Sequence, residues 1–137
     1  MEQKKTALVL GGIAGPAATD LKKVINDTLR DLDVELMSVE DSSPTATVTA
    51  GMTGAIQKAD VIVADVTNGS PNVWYELGYA QALRKPTMLL LSTKAIGGSI
   101  PSDLTGTHMI VYDPEDVSRV QRQIQRFLER QIVRLAY

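Results

Sequence analysis

Three carboxyl groups in one stretch of the sequence could support nucleophilic and acid–base chemistry. Glu76 lies early in a predicted helix that starts near Asn72, where the helix macrodipole would keep its carboxylate ionised, as a nucleophile requires. Asp60 and Asp65 stand at the two ends of the preceding predicted strand. An aspartate that acts as the partner acid needs a dry or carboxylate-rich setting. We take Glu76 and Asp60 as the candidate catalytic pair; the alternatives are that Glu76 is a dipole partner and that Asp60 only starts a strand.

Polar and aromatic side chains beside these acids could bind a ligand. Ser70 and Asn72 come just before Glu76, and a neighbouring ring could stack on a base or contact its sugar. Ser99 belongs to a later loop that is long enough to be functional. The predicted contacts are Asp65, Ser70, Asn72, Tyr75 and Ser99. The alternative is that these residues bind no ligand and instead anchor a loop, form a turn, cap a helix or pack against neighbouring side chains.

A glycine-rich loop, GGIAGP, follows the first apolar segment and precedes a helical pattern. Glycines at such a place let backbone amides approach a ligand, and the start of the following helix favours an anion. The loop matches neither the dinucleotide-binding nor the Walker A pattern, so a tight strand-to-helix turn is the alternative. The predicted ligand contacts in this loop are Gly11, Gly12, Ile13 and Gly15.

Short apolar segments alternate with helical patterns along the chain. The predicted strands are Thr6–Leu10, Val34–Val39, Asp60–Val66, Pro86–Ser92 and Met109–Tyr112. The predicted helices are Ala17–Leu32, Val48–Lys58, Val73–Arg84 and a last one that Asp113 caps and Pro114 begins. This alternation predicts an α/β fold, a flavodoxin-like or Rossmann-like three-layer sandwich whose five-stranded parallel sheet has the order 2-1-3-4-5. The second strand alternates in polarity, as an edge strand does, and a ligand is expected beyond the carboxyl ends of the first and third strands.

Composition favours a small-molecule protein. The 137 residues, 44% of them hydrophobic, are predicted to form a single domain spanning 1–137. A formal charge of -2 provides no basic surface for nucleic acid or for an anionic membrane. The absence of cysteine excludes thiol chemistry, and one histidine does not make a zinc site, so no metal and no cofactor are predicted. Neither a leader nor a membrane span is visible, and we expect a cytoplasmic protein.

The stretch from Ala59 to Ala80, ADVIVADVTNGSPNVWYELGYA, resembles the nucleoside 2-deoxyribosyltransferases and the deoxynucleoside monophosphate N-glycosidases. In that family an A-D-V/I-V-V-A-x-V-T strand leads into a Y/M-E-L-G-x-A helix. The resemblance implies that Glu76 attacks the anomeric carbon and that Ser70 contacts a 5′-phosphate. It also implies a homo-oligomer, a dimer or a tetramer. Met52 stands where the family has its second acid, so Asp60 or Asp65 would have to replace that acid, or the chemistry is altered or absent.

These observations predict an enzyme that cleaves or transfers at the N-glycosidic bond of a (deoxy)nucleotide or nucleoside. Such a reaction passes through an oxocarbenium-like state that a carboxylate can stabilise or capture. One alternative is a nucleotide-binding or sensing module that keeps the fold without turnover. Another is a NAD-cleaving domain of the Toll/interleukin-receptor type, which also uses a glutamate on a flavodoxin-like sheet.

Overall fold

The computed structural model describes residues 4–11, 20–37, 48–67, 71–95 and 108–136. Its strands are β1 (Thr6–Gly11), β2 (Glu35–Leu36), β3 (Val61–Asp65), β4 (Thr87–Ser92) and β5 (His108–Tyr112). Its helices are α1 (Asp20–Asp31), α2 (Val48–Lys58), α3 (Pro71–Ala82) and α4 (Ser118–Ala136). No helix within these ranges is long and apolar enough to cross a membrane.

The strands form one parallel sheet in the order β2-β1-β3-β4-β5, which confirms the predicted fold class and strand order. Neighbouring β1 and β3 pair from Ala7 with Val61 through Gly11 with Asp65. Their carboxyl ends therefore lie side by side. We call this end of the sheet the carboxyl edge and the opposite end the amino edge.

The sheet is covered on both faces, and β3 shows why its sequence is continuously apolar. Val61 and Val63 belong to a first core cluster, which also contains buried residues of α1 and α4. Ile62 and Ala64 belong to a second cluster, which contains buried residues of α2 and α3. All four side chains are at most 2% exposed. Strands that are buried on both faces cannot alternate apolar with polar residues.

The second strand is shorter than its polarity pattern predicted. It lies at the edge of the sheet, as expected, but among the described residues of this segment only Glu35 and Leu36 pair with β1, and both are exposed. The structure describes the predicted segment Val34–Val39 only as far as Met37, whose amide donates to the carbonyl oxygen of Ala7 at 2.8 Å.

The start of the last helix differs from the prediction. A turn closed by a bridge between Asp113 and Asp116 precedes α4, which begins at Ser118. The Asp113 carboxylate accepts the amide hydrogen of Glu115 at 2.9 Å. The predicted cap and first-turn proline were wrong because this aspartate satisfies a donor inside the turn and not a helix terminus.

Candidate active site

At the carboxyl edge β1 and β3 approach each other closely. Gly11 ends β1 with a φ of +87°, and a Cβ atom there would lie 2.2 Å from the carbonyl oxygen of Asp65. Only glycine fits this conformation and this spacing. Gly11 therefore has a steric function whether or not a ligand binds. The other predicted contacts of this loop, Gly12, Ile13 and Gly15, lie outside the described residues.

Glu76 projects from the second turn of α3, beside the stripe that packs against the sheet. The stripe consists of Val73, Leu77 and Ala80, all buried, and Glu76 on its flank is half-buried. Side chains on a helix tilt towards its amino terminus. Because α3 follows the carboxyl end of β3, this tilt directs Glu76 towards the carboxyl edge.

The flank that carries Glu76 faces α2. Tyr79 lies one turn further on the same flank, and its hydroxyl accepts a hydrogen bond of 2.7 Å from Nε2 of Gln57 in α2. Glu76 thus borders the groove between the two helices. Within the described part of the chain, no hydrogen bond or ion pair joins Glu76 to another residue, so no basic neighbour there neutralises its carboxylate.

Burial raises the pKa of Glu76 above its ordinary value of 4.5 because the charged form is desolvated. The sequence predicted that the helix macrodipole would dominate. The helix begins at Pro71, however, so Glu76 lies beyond the first turn, where the dipole acts most strongly. The carboxylate required of a nucleophile is present above this raised pKa and is lost as the pH falls through it.

Asp65 is the centre of a hydrogen-bond network at the ends of three strands. Its Oδ1 accepts the amide hydrogen of Thr67 at 3.0 Å and the hydroxyl of Thr67 at 2.5 Å, and its Oδ2 accepts the hydroxyl of Tyr112 at 3.1 Å. The amide of Ser92 donates to Oγ1 of Thr67 at 3.0 Å. We call these four residues the Asp65 network. Since both carboxylate oxygens already have donors, the described contacts correspond to the loop-anchoring interpretation of Asp65.

Asp65 and Glu76 approach the carboxyl edge from opposite sides of the sheet. Along β3, Asp65 falls on the same face as Val61 and Val63, which belong to the cluster under α1 and α4. Glu76 comes from α3, which covers the other face. The structure therefore does not place these two carboxylates side by side.

Asp60 lies at the amino edge. Its Oδ2 accepts the amide hydrogen of Thr6 at 2.8 Å and the hydroxyl of Thr6 at 3.3 Å, while its own amide donates to the carbonyl oxygen of Thr6 at 3.0 Å. The length of β3, about 16 Å for five residues, separates Asp60 from the carboxyl edge. The carboxylate of Asp60 joins the start of β1 to the start of β3, and its role as the partner acid of Glu76 stays a prediction.

The remaining predicted positions show different surroundings. Met52, at the place of the family's second acid, is half-buried and packs against the second core cluster. Tyr75 is 63% exposed. Ser70 and Ser99 lie outside the described residues, and Asn72 is described only as part of α3. In the part of the chain that the structure describes, no group of three or more histidine, aspartate or glutamate side chains could hold a metal ion.

The two residues whose hydroxyls donate to Asp65, Thr67 and Tyr112, had not been singled out from the sequence. Thr67 comes two residues after Asp65, and Tyr112 is the last residue of β5. Both stand at carboxyl ends of parallel strands, where ligands of this architecture bind. Their position at the ends of predicted strands is the sequence signal from which they could have been found.

The fold and the site define a class of protein, and comparisons with known proteins identify its family. No family model matches the sequence. The chain is 30% identical over 110 residues to the 5-hydroxymethyl-dUMP N-hydrolase of Rattus norvegicus, a match that covers 78% of this chain and 67% of that protein. It is 29% identical to the enzyme of the same name from Mus musculus, with 78% and 63% covered. The chain belongs to the nucleoside 2-deoxyribosyltransferase-like family, which confirms the resemblance seen in its sequence.

Solved structures agree with the fold. The CMP N-glycosidase of Clostridium botulinum superposes with a TM-score of 0.60 at 22% identity, covering 88% of this chain and 98% of that one. The 2-deoxyribosyltransferase of Bacillus psychrosaccharolyticus superposes with a TM-score of 0.54 at 21% identity, covering 84% and 90%. These likenesses show that the three chains share an architecture.

Proposed function

We propose that this chain is an enzyme that cleaves or transfers at the N-glycosidic bond of a nucleotide or nucleoside, with the carboxylate of Glu76 as the nucleophile. The names of its relatives support this class of reaction, since they include N-hydrolases, an N-glycosidase and a 2-deoxyribosyltransferase. The observation that carries the proposal is the position of Glu76. Its half-buried carboxylate borders the α2–α3 groove, tilts towards the carboxyl edge and has no internal cationic partner among the described residues.

In the proposed reaction, an oxygen of Glu76 attacks C1′ of the sugar on the face opposite the base. The C1′–N bond breaks, and the base departs with the bonding electrons and acquires a proton. The resulting glycosyl ester of Glu76 is then opened at C1′ by an acceptor, which loses a proton as the carboxylate is released. Water as the acceptor makes the enzyme a hydrolase, and a second base makes it a transferase.

We propose a nucleoside 5′-monophosphate as the substrate. The curated relatives are named for a deoxyuridine monophosphate, and one structural relative is named for CMP. Each of these nucleotides carries a 5′-phosphate. The family resemblance implies Ser70 as the phosphate contact, and the glycine-rich loop after β1 is a predicted anion-binding turn. The protein would bind this small molecule as a cytoplasmic homo-oligomer. Exposed apolar side chains at Tyr75, Leu83 and Val111 offer surface for subunit contact.

A panel assay of base release tests the proposal. Deoxyribonucleotides, ribonucleotides, the matching nucleosides and NAD are incubated with the wild-type protein and with the isosteric variant Glu76→Gln, and the free base is measured by chromatography. Release that the variant lacks supports the proposal. Release from NAD alone would instead favour the NAD-cleaving alternative.

A second candidate is a nucleotide sensor without turnover. The packing of Met52 against the core favours it, because the family's acid is thereby replaced by an apolar contact. Tight calorimetric binding of a nucleotide with no base release from any member of the panel would identify the sensor. Equal release by the wild-type protein and by Glu76→Gln would contradict the nucleophile.

A further inference from the structure

We propose that Tyr112 is a positioning residue for substrate binding, which acts through the Asp65 network to align the carboxyl ends of β3, β4 and β5. The inference rests on the proposed function, because the ligand is taken to lie at this edge. Tyr112 is 6% exposed and is the residue of the network most distant in sequence from Glu76.

A count of hydrogen atoms indicates that the carboxylate of Asp65 organises the network. The hydroxyl of Thr67 has one hydrogen, and the 2.5 Å contact directs it to Asp65. The hydroxyl hydrogen of Tyr112 goes to the other oxygen of Asp65 at 3.1 Å. No hydroxyl hydrogen then remains for the 3.4 Å contact between Thr67 and Tyr112, so Asp65 is the acceptor for both hydroxyls. The carboxyl group of Asp65 thus accepts from three donors, the amide of Thr67 included.

The network joins three strands that are distant in sequence. Asp65 ends β3, Ser92 ends β4 and Tyr112 ends β5. The amide of Ser92 donates to Thr67, and the hydroxyl of Ser92 in turn accepts the amide hydrogen of Lys94 at 3.1 Å. Removal of one hydroxyl therefore loosens backbone groups on neighbouring strands at once.

The state of the Tyr112 hydroxyl is consistent with its donor function. Burial is the main cause that raises the pKa of Tyr112, and the charge of Asp65 raises it further, although the 3.4 Å contact with the Thr67 hydroxyl acts in the opposite direction. The phenol therefore keeps its hydrogen at neutral pH and continues to donate it.

Glu76 is held by other contacts, and this separation makes the inference specific. Its helix is fixed by Val73, Leu77 and Ala80 in the second core cluster, whereas Tyr112 belongs to the first. Loss of the Tyr112 hydroxyl should therefore displace the edge on which the substrate rests while Glu76 stays in place. The expected consequence is a higher KM with a nearly unchanged kcat.

The test compares Tyr112→Phe with the wild type on the monophosphate that the panel assay identifies. We expect KM to rise about five- to tenfold and kcat to stay within about twofold. Thr28→Val is the matched control, because it also removes a buried hydroxyl and its hydrogen bond, here with the carbonyl oxygen of Val24 within α1. The control should leave KM near that of the wild type. A fall in kcat at constant KM, or equal effects of the two variants, would overturn the inference.

A second pair of variants covers the case in which Tyr112→Phe folds poorly. Thr67→Val removes the hydroxyl and should raise KM, while Thr67→Ser keeps the hydroxyl and should restore KM. Amide exchange of Ser92, measured by NMR, reports on the network independently of turnover. The amide should exchange faster in Thr67→Val than in Thr67→Ser. Faster exchange with an unchanged KM would show that the network does not position the substrate.

The outcomes also separate this inference from the proposed function. If the wild-type protein binds a monophosphate without releasing its base, the enzymatic proposal fails. The dissociation constant then replaces KM in the same comparison of variants. If the wild type neither binds nor cleaves any member of the panel, both proposals are overturned.

Discussion

The two ends of β3 carry the same residue type in different settings. At the amino edge Asp60 bonds to one residue, Thr6, whose amide and hydroxyl donate to the Asp60 carboxylate and whose carbonyl oxygen accepts the Asp60 amide hydrogen. At the carboxyl edge Asp65 accepts the hydroxyl of Thr67, two residues further on, and the hydroxyl of Tyr112, which is 47 residues further on. Main-chain donors are available at the start of any parallel strand, whereas side-chain hydroxyls require particular residues at particular places. The comparison indicates that the carboxyl edge depends more on specific side chains than the amino edge does, because a main-chain amide makes the shorter of the two bonds to the Asp60 carboxylate.

The largest expected effect concerns catalysis at the carboxyl edge. Glu76→Gln should lower base release by on the order of a thousandfold or more, since an amide cannot act as the nucleophile. Stability should not fall, because the substitution removes a partly desolvated charge that has no internal partner among the described residues. Base-release kinetics and urea unfolding measure the two quantities. A large loss of stability in this variant would show that Glu76 has a structural function.

The next effect concerns the contact between β1 and β3. Gly11→Ala should destabilise the protein by roughly 3 kcal/mol, because its Cβ atom would meet the carbonyl oxygen of Asp65 at a positive φ. Gly78→Ala is the matched control, since Gly78 lies exposed in α3 with open space around it. The control should gain up to about 1 kcal/mol. Urea unfolding that ranked the two variants in the reverse order would contradict the close approach.

The two aspartates can be compared directly by the same amide substitution. Asp65→Asn should cost about 2 kcal/mol of unfolding free energy, because one end of the amide would present hydrogens to hydroxyl or amide donors. Asp60→Asn should cost less than about 1 kcal/mol, since its remaining oxygen can still accept from Thr6. Urea unfolding at neutral pH measures both. Equal losses of unfolding free energy in the two variants would contradict the proposed difference between the carboxyl edge and the amino edge.

The smallest expected effect is a pH dependence. Because the folded-state pKa of Glu76 is raised above 4.5, the folded protein binds this proton more tightly than the unfolded chain does. The resulting stabilisation is fully present below 4.5 and is lost as the pH rises through the folded-state pKa. The difference in unfolding free energy between the wild type and Glu76→Gln should change across this window. Base release should decline over the same window as the pH falls. A difference in unfolding free energy that does not change with pH would show that Glu76 is not desolvated.

Part of the fold and the candidate nucleophile could be predicted from local sequence. The continuous apolar segments and the helical patterns predicted the sheet order, and the stretch from Ala59 to Ala80 predicted the family and the class of reaction. These features depend on neighbouring residues along the chain, so a sequence displays them. The proposed role of Glu76 rests on the same stretch and awaits the assay above.

Long-range geometry determined the rest. The sequence alone grouped Asp60 with Glu76 because both belong to one stretch, but a strand's length separates Asp60 from the carboxyl edge. It gave no indication that Tyr112, 47 residues after Asp65, donates to that carboxylate. It also placed Glu76 in the favourable field of its helix, whereas packing made burial the dominant influence on its pKa. Periodicity and motif are local properties, but hydrogen-bond partners and desolvation exist only once distant segments have packed together.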